Sequence, residues 1–85
     1  MKILIVDDNI DNLDMMEIVL RSNDYNVVSA LNGKVALEIL QHESFELIIS
    51  DILMPVMDGF QLCKECKFNP KLKKYSFCLL YSYIR

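Results

Sequence analysis

Three aspartates stand where apolar runs break off: Asp7 and Asp8 directly after Ile3-Leu4-Ile5-Val6, and Asp51 after the stretch that ends at Ser50. Apolar runs without polar alternation read as strands covered on both faces, the kind found in parallel sheets. In an open parallel sheet the functional crevice lies beyond the carboxyl ends of the strands, so these carboxylates are expected to converge. At roughly 4–6 Å they would repel by about 3–4 kcal/mol per pair at an effective dielectric near 20, and the cluster needs a proton or a cation. Mg²⁺ suits the donor type: it takes oxygen ligands, keeps several waters, and binds through one or two carboxylates plus phosphate oxygens. A remaining carboxylate is then available as a nucleophile, and the chemistry implied is phosphoryl transfer. Taken alone, Asp7-Asp8 reads as well as a solvated strand end and helix cap; Asp51 changes the balance.

The elements that must position these residues alternate along the chain. From Ile10 to about Ser22, Leu13, Met16, Val19 and Leu20 recur at spacings of three and four, the stripe of an amphipathic helix that Asp8 or Asn9 can cap. A strand is expected over 26–30, then a helix opened by Asn32-Gly33, then a strand over 46–50. Pro55 forbids a continuing strand after Asp51, and Gly59 is read as admitting unusual backbone angles. A short helix over 60–67, a Lys-rich connector over 69–74 and an apolar strand over 77–81 complete the reading. The order β-α-β-α-β-α-β predicts an α/β fold with right-handed crossovers, a doubly wound parallel sheet.

Composition bounds the rest. With 85 residues, 53% of them hydrophobic, and only 2 Gly and 2 Pro, the chain fits one domain over 1–85 and excludes disorder or a disulfide scaffold. Three cysteines, and no apolar run near the roughly 20 residues of a membrane span, point to a cytoplasmic protein. Residues 1–58 hold 11 acids and 3 bases, residues 59–85 hold 1 acid and 6 bases, and the overall net charge of -3 argues against nucleic acid as a partner. Cys63 and Cys66 fall inside a predicted helix and read as bland helix cysteines, and His42 reads as a surface residue.

Val6-Asp7-Asp8-Asn9, Ala30-Leu31-Asn32-Gly33 through Glu38, Ser50-Asp51, Met54-Pro55 and Met57-Asp58-Gly59 occur in order at matching spacings. Over residues 2–68 this combination resembles a response-regulator receiver domain of the chemotaxis type. The resemblance implies a flavodoxin-like strand order 2-1-3-4 and Asp51 as phosphoacceptor, attacking the phosphohistidine of a sensor histidine kinase or phosphotransfer protein. It also implies Mg²⁺ held by Asp8, Asp51 and the Leu53 carbonyl, with Asp7 assisting through water. Met54-Pro55 and Asp58-Gly59 shape the loop and start the next helix. What the resemblance implies is a receiver that promotes its own phosphorylation, not a turnover enzyme.

The family places a hydroxyl at the end of its fourth strand; here Ser82 or, one register away, Tyr81 takes that position. Its fifth-strand Lys and last two helices have no counterpart before Arg85, so the expectation is a truncated receiver, impaired in phosphoryl stabilisation. An exposed fourth-strand edge and a bare sheet face predict a homodimer. Two other readings stay open: an interaction module that assembles independently of phosphorylation, and an acid-rich Mg²⁺ phosphohydrolase.

Overall fold

The computed structural model describes residues 1–52, 54 and 56–80 of the chain. Four parallel strands, β1 (Lys2–Val6), β2 (Asn26–Ala30), β3 (Leu47–Asp51) and β4 (Ser76–Leu80), form one sheet in the order β2-β1-β3-β4. Three helices connect them: α1 (Ile10–Ser22), α2 (Gly33–His42) and α3 (Gly59–Phe68). This is the predicted doubly wound order. Strand 3 begins and ends one residue later than expected, so Asp51 is its last paired residue rather than the first beyond it; Asp51 aligns with Leu80 of β4.

Central β1 shows why its run carries no alternation. Ile3 and Ile5 pack with Leu13 of α1 and Val27, while Leu4 and Val6 face the other way, into a core with Ala36, Leu40, Ile48, Leu62 and Cys66 under α2 and α3. Both faces are apolar because both are covered. Each fully buried aliphatic side chain here contributes about 1.5–3 kcal/mol. The stripe of α1 divides as its period requires: Leu13 is buried, Met16 and Leu20 are half-buried against the sheet, and Met15 and Val19 are exposed.

Each of the three helices among the described residues starts on an Asx cap. Asn9 Oδ1 accepts from Asn12 N at 3.1 Å, Asn32 Oδ1 from Val35 N at 2.9 Å, and Asp58 Oδ1 from Gln61 N at 2.8 Å. These side chains satisfy amides that have no partner within their own helix. All three caps sit at the strands' carboxyl edge, so they also fix where each helix leaves the site. The Lys-rich connector is a compact turn in which Leu72 N and Lys73 N return to the Asn69 carbonyl, pinned by buried Leu72.

Candidate functional site

Asp7, Asp8 and Asp51 meet at the carboxyl ends of β1 and β3, with one carboxylate oxygen from each lying within 4.8 Å of the other two. They are the one group of His, Cys, Asp or Glu placed to hold a metal ion among the described residues. Asp51 and Asp7 are buried and Asp8 is half-buried. Adjacent strand order brings together residues 43 positions apart, because β1 and β3 pair directly with Val6 opposite Ser50.

Asp7 is held by the start of α1. Its Oδ1 accepts from Asn9 N at 3.0 Å and its Oδ2 from Asn12 Nδ2 at 3.3 Å, while its own amide donates to the Ala30 carbonyl at 3.1 Å. Asn12 is a positioning residue that periodicity did not reveal, since an Asn in the first helical turn reads as solvent-facing. Its signal is its place five residues after Asp7.

Asp51 is positioned through its backbone. The buried Ser50 hydroxyl donates to the Asp51 carbonyl at 3.0 Å, and Gly59 N donates to the Ile52 carbonyl at 2.9 Å. A Cβ on Gly59 would sit 2.3 Å from the Asp51 carbonyl oxygen and 2.9 Å from Ile52 Cα. Gly59 is thus required for space. The expected unusual backbone angle is not what it supplies, because neither glycine has a positive φ. The other glycine, Gly33, stands against Met57: a Cβ there would lie 2.9 Å from Met57 Cβ and Cγ. Both glycines of the chain therefore seat the segment between β3 and α3, with Met54 buried in the core and Met57 packed against it. Within that segment Val56 is exposed and carries φ 71°, a left-handed conformation that a β-branched residue rarely adopts.

The donor set fits Mg²⁺. All three groups are hard carboxylate oxygens, and their span of at most 4.8 Å compares with about 4.2 Å across an octahedral ion with Mg–O distances near 2.1 Å. The Leu53 carbonyl, Ser82 and Tyr81 lie outside the described residues. Asp58 caps α3 and takes no part in the cluster, as expected. His42 ends α2 and is exposed. Cys66 is buried, and burial pushes its thiol up to about 11, the state of an inert core cysteine.

A family profile described as "Response regulator receiver domain" matches residues 3–76. The chain is 38% identical, over all of its length and 65% of the relative's, to an uncharacterized 14.6 kDa protein of Leptolyngbya boryana. It thus spans just under two thirds of that relative, and 15% of a probable cyclic di-GMP phosphodiesterase of Vibrio cholerae that is 44% identical over 80% of this chain. Among solved structures, the signal receiver domain of a signal transduction histidine kinase from Syntrophus aciditrophicus superposes with a TM-score of 0.92 at 34% identity, covering 99% of this chain and 64% of that one. The response regulator TrrA of Thermotoga maritima, solved in complex with Mg²⁺-BeF, superposes at 0.88 with 30% identity, covering 96% and 70%. No helix among the described residues is long and apolar enough to cross a membrane.

Proposed function

The chain belongs to the response regulator receiver family, and on that premise we propose that it is a phosphoacceptor module in which Asp51 takes a phosphoryl group from the phosphohistidine of a sensor histidine kinase or phosphotransfer protein. The convergence of Asp7, Asp8 and Asp51 within 4.8 Å carries the reading. A carboxylate oxygen of Asp51 attacks phosphorus in line as the P–N bond breaks; the electron pair returns to the imidazole and an acyl phosphate forms on Asp51. Such transfers need positioning and charge neutralisation more than covalent assistance. Mg²⁺, when bound, offsets the negative charge that gathers between acceptor and donor. Asp8, Asp51 and the Leu53 carbonyl would hold it, with Asp7 assisting through water and Ser82 contacting the transferred group. Each transfer consumes the acceptor, so the module is not a turnover enzyme. The proposed unit is residues 1–85 as one domain, supported by the packing of every described helix against one sheet.

Incubation with acetyl phosphate and Mg²⁺ followed by intact-mass measurement tests this. The expected result is one adduct of about 80 Da, the mass of a phosphoryl group, absent from Asp51→Asn. An adduct that persists in Asp51→Asn refutes the assignment. A second reading, assembly independent of phosphorylation, is favoured by β4, which has a neighbouring strand on one side only among the described residues. A homodimer through that edge, with no adduct in either chain, would support it instead.

A further inference from the structure

Two helices on opposite faces of the sheet carry matching outward stripes. On α1, Ile10, Asp14 and Ile18 follow one another at i, i+4 and i+8; on α3, Phe60, Lys64 and Phe68 do the same. All six are exposed, with Ile10 at 59%, Ile18 at 70%, Phe60 at 61% and Phe68 at 77%. Residues at this spacing lie on one face of a helix, over about 12 Å from first to last. Each stripe is therefore apolar, charged, apolar, and the central charges are of opposite sign.

We propose that the outer face of α3 docks the outer face of α1 of a second copy of this chain, head to tail. The charges set the direction. With Asp14 opposite Lys64 and the helices antiparallel, Ile10 lies against Phe68 and Ile18 against Phe60. Two flanking pairs then match too: Asp11 falls opposite Lys67, three residues out from the central pair in each helix, and Arg21, which also bonds Glu17 and the Val27 carbonyl within its own chain, falls near Asp58 at the far end. A parallel arrangement sets Asp11 toward Asp58's end of α3 and Arg21 toward its Lys67 end, pairing like with like. The surface around α3 is a shallow groove of about 450 Å³ lined by Asp58, Phe60, Gln61, Lys64, Glu65 and Phe68, apolar at two points and charged between them. The α1 surface is lined by Asp14, Glu17, Ile18 and Arg21 and is shallow as well.

Because α1 packs on one face of the sheet and α3 on the other, each chain offers one donor face and one acceptor face. Such a heterologous contact does not close at two copies; it propagates, into a ring where the rotation closes and into an open chain where it does not. A single helix-on-helix contact also falls below the roughly 1,000 Å² of a stable interface, so the association is weak and rapidly reversible. It differs from pairing through the β4 edge, which involves neither stripe.

Sedimentation of the full chain over a concentration series tests it. The expected result is an average mass that climbs past the dimer with concentration and falls when ionic strength rises from about 0.05 to 0.5 M. Ile18→Lys disables the α1 face alone and Phe68→Glu the α3 face alone; each side chain is exposed, and circular dichroism confirms the fold. Each variant by itself should be monomeric. Mixed in equal amounts they should form dimers and nothing larger, because one intact α1 face meets one intact α3 face. Asp14→Lys should abolish association, and Asp14→Lys combined with Lys64→Glu should restore it. A wild-type chain that stays monomeric at high micromolar concentration, single variants that still associate, or a mixture that stays monomeric would each overturn the proposal.

Discussion

Replacing Gly59 by alanine should damage the site without touching any carboxylate. The added Cβ would lie 2.3 Å from the Asp51 carbonyl oxygen, 3.0 Å from its carbonyl carbon and 2.9 Å from Ile52 Cα. An ordinary C···O contact begins near 3.3 Å, so strand end and helix start must separate by about 1 Å. The blocking atoms are backbone and cannot swing aside, which puts the overpacking cost toward the upper end of the usual range of about 1–3 kcal/mol. Alanine returns up to about 1 kcal/mol of helix propensity, leaving a net loss of about 2 kcal/mol. For a domain of this size that lowers Tm by about 8–16 °C. The same movement stretches the 2.9 Å bond from Gly59 N to the Ile52 carbonyl and the 3.0 Å bond from Ser50 Oγ to the Asp51 carbonyl. Metal ligands tolerate displacements of only about 0.2 Å, so Mg²⁺ affinity should fall at least tenfold. Thermal unfolding and Mg²⁺ titration of both chains provide the measurement. A Tm within about 2 °C of the parent together with Mg²⁺ affinity within about twofold would refute the close-approach reasoning.

Asp51→Asn removes one of three clustered charges, so it should raise Tm in the absence of divalent ions and abolish the Mg²⁺-dependent rise seen in the parent; a lower metal-free Tm contradicts this. Val56→Asn should stabilise the chain by about 1 kcal/mol in chemical denaturation, because Asn tolerates the left-handed φ of 71° that valine does not; no gain would mean that the loop relaxes without cost. With its thiol at about 11 against an ordinary 9.0, Cys66 is roughly 1% ionised at pH 9, and alkylation of a Cys78→Ser chain at that pH should label half-buried Cys63 before buried Cys66, whose labelling should speed up as pH rises toward 11. The folded state holds this proton more tightly than the unfolded one, so the contribution to stability is complete below pH 9 and is lost as pH rises from 9 toward 11. Cys66→Val should not show that decline.

Much of the architecture is legible in local sequence because each element carries its own period. Uninterrupted Ile3 to Val6 specifies a strand covered on both faces, and the three-and-four spacing in α1 specifies one covered face, both properties of a residue and its near neighbours. The three aspartates are legible for the same reason, since each marks the end of an apolar run. Other features depend on which particular atoms meet, which the period of an element does not report. Asn9, and not Asp8, caps α1 because the Asp7 carboxylate accepts the Asn9 amide and the Asn12 side chain, which fixes where the helix begins. The need for glycine at 59 arises from a carbonyl eight residues earlier, and at 33 from a methionine on a different loop. The two outward stripes are likewise visible as spacing, but only the sheet sets them on opposite faces. Periodicity reports which side of an element is buried; which atoms meet across elements is decided by strand order and the close packing it imposes.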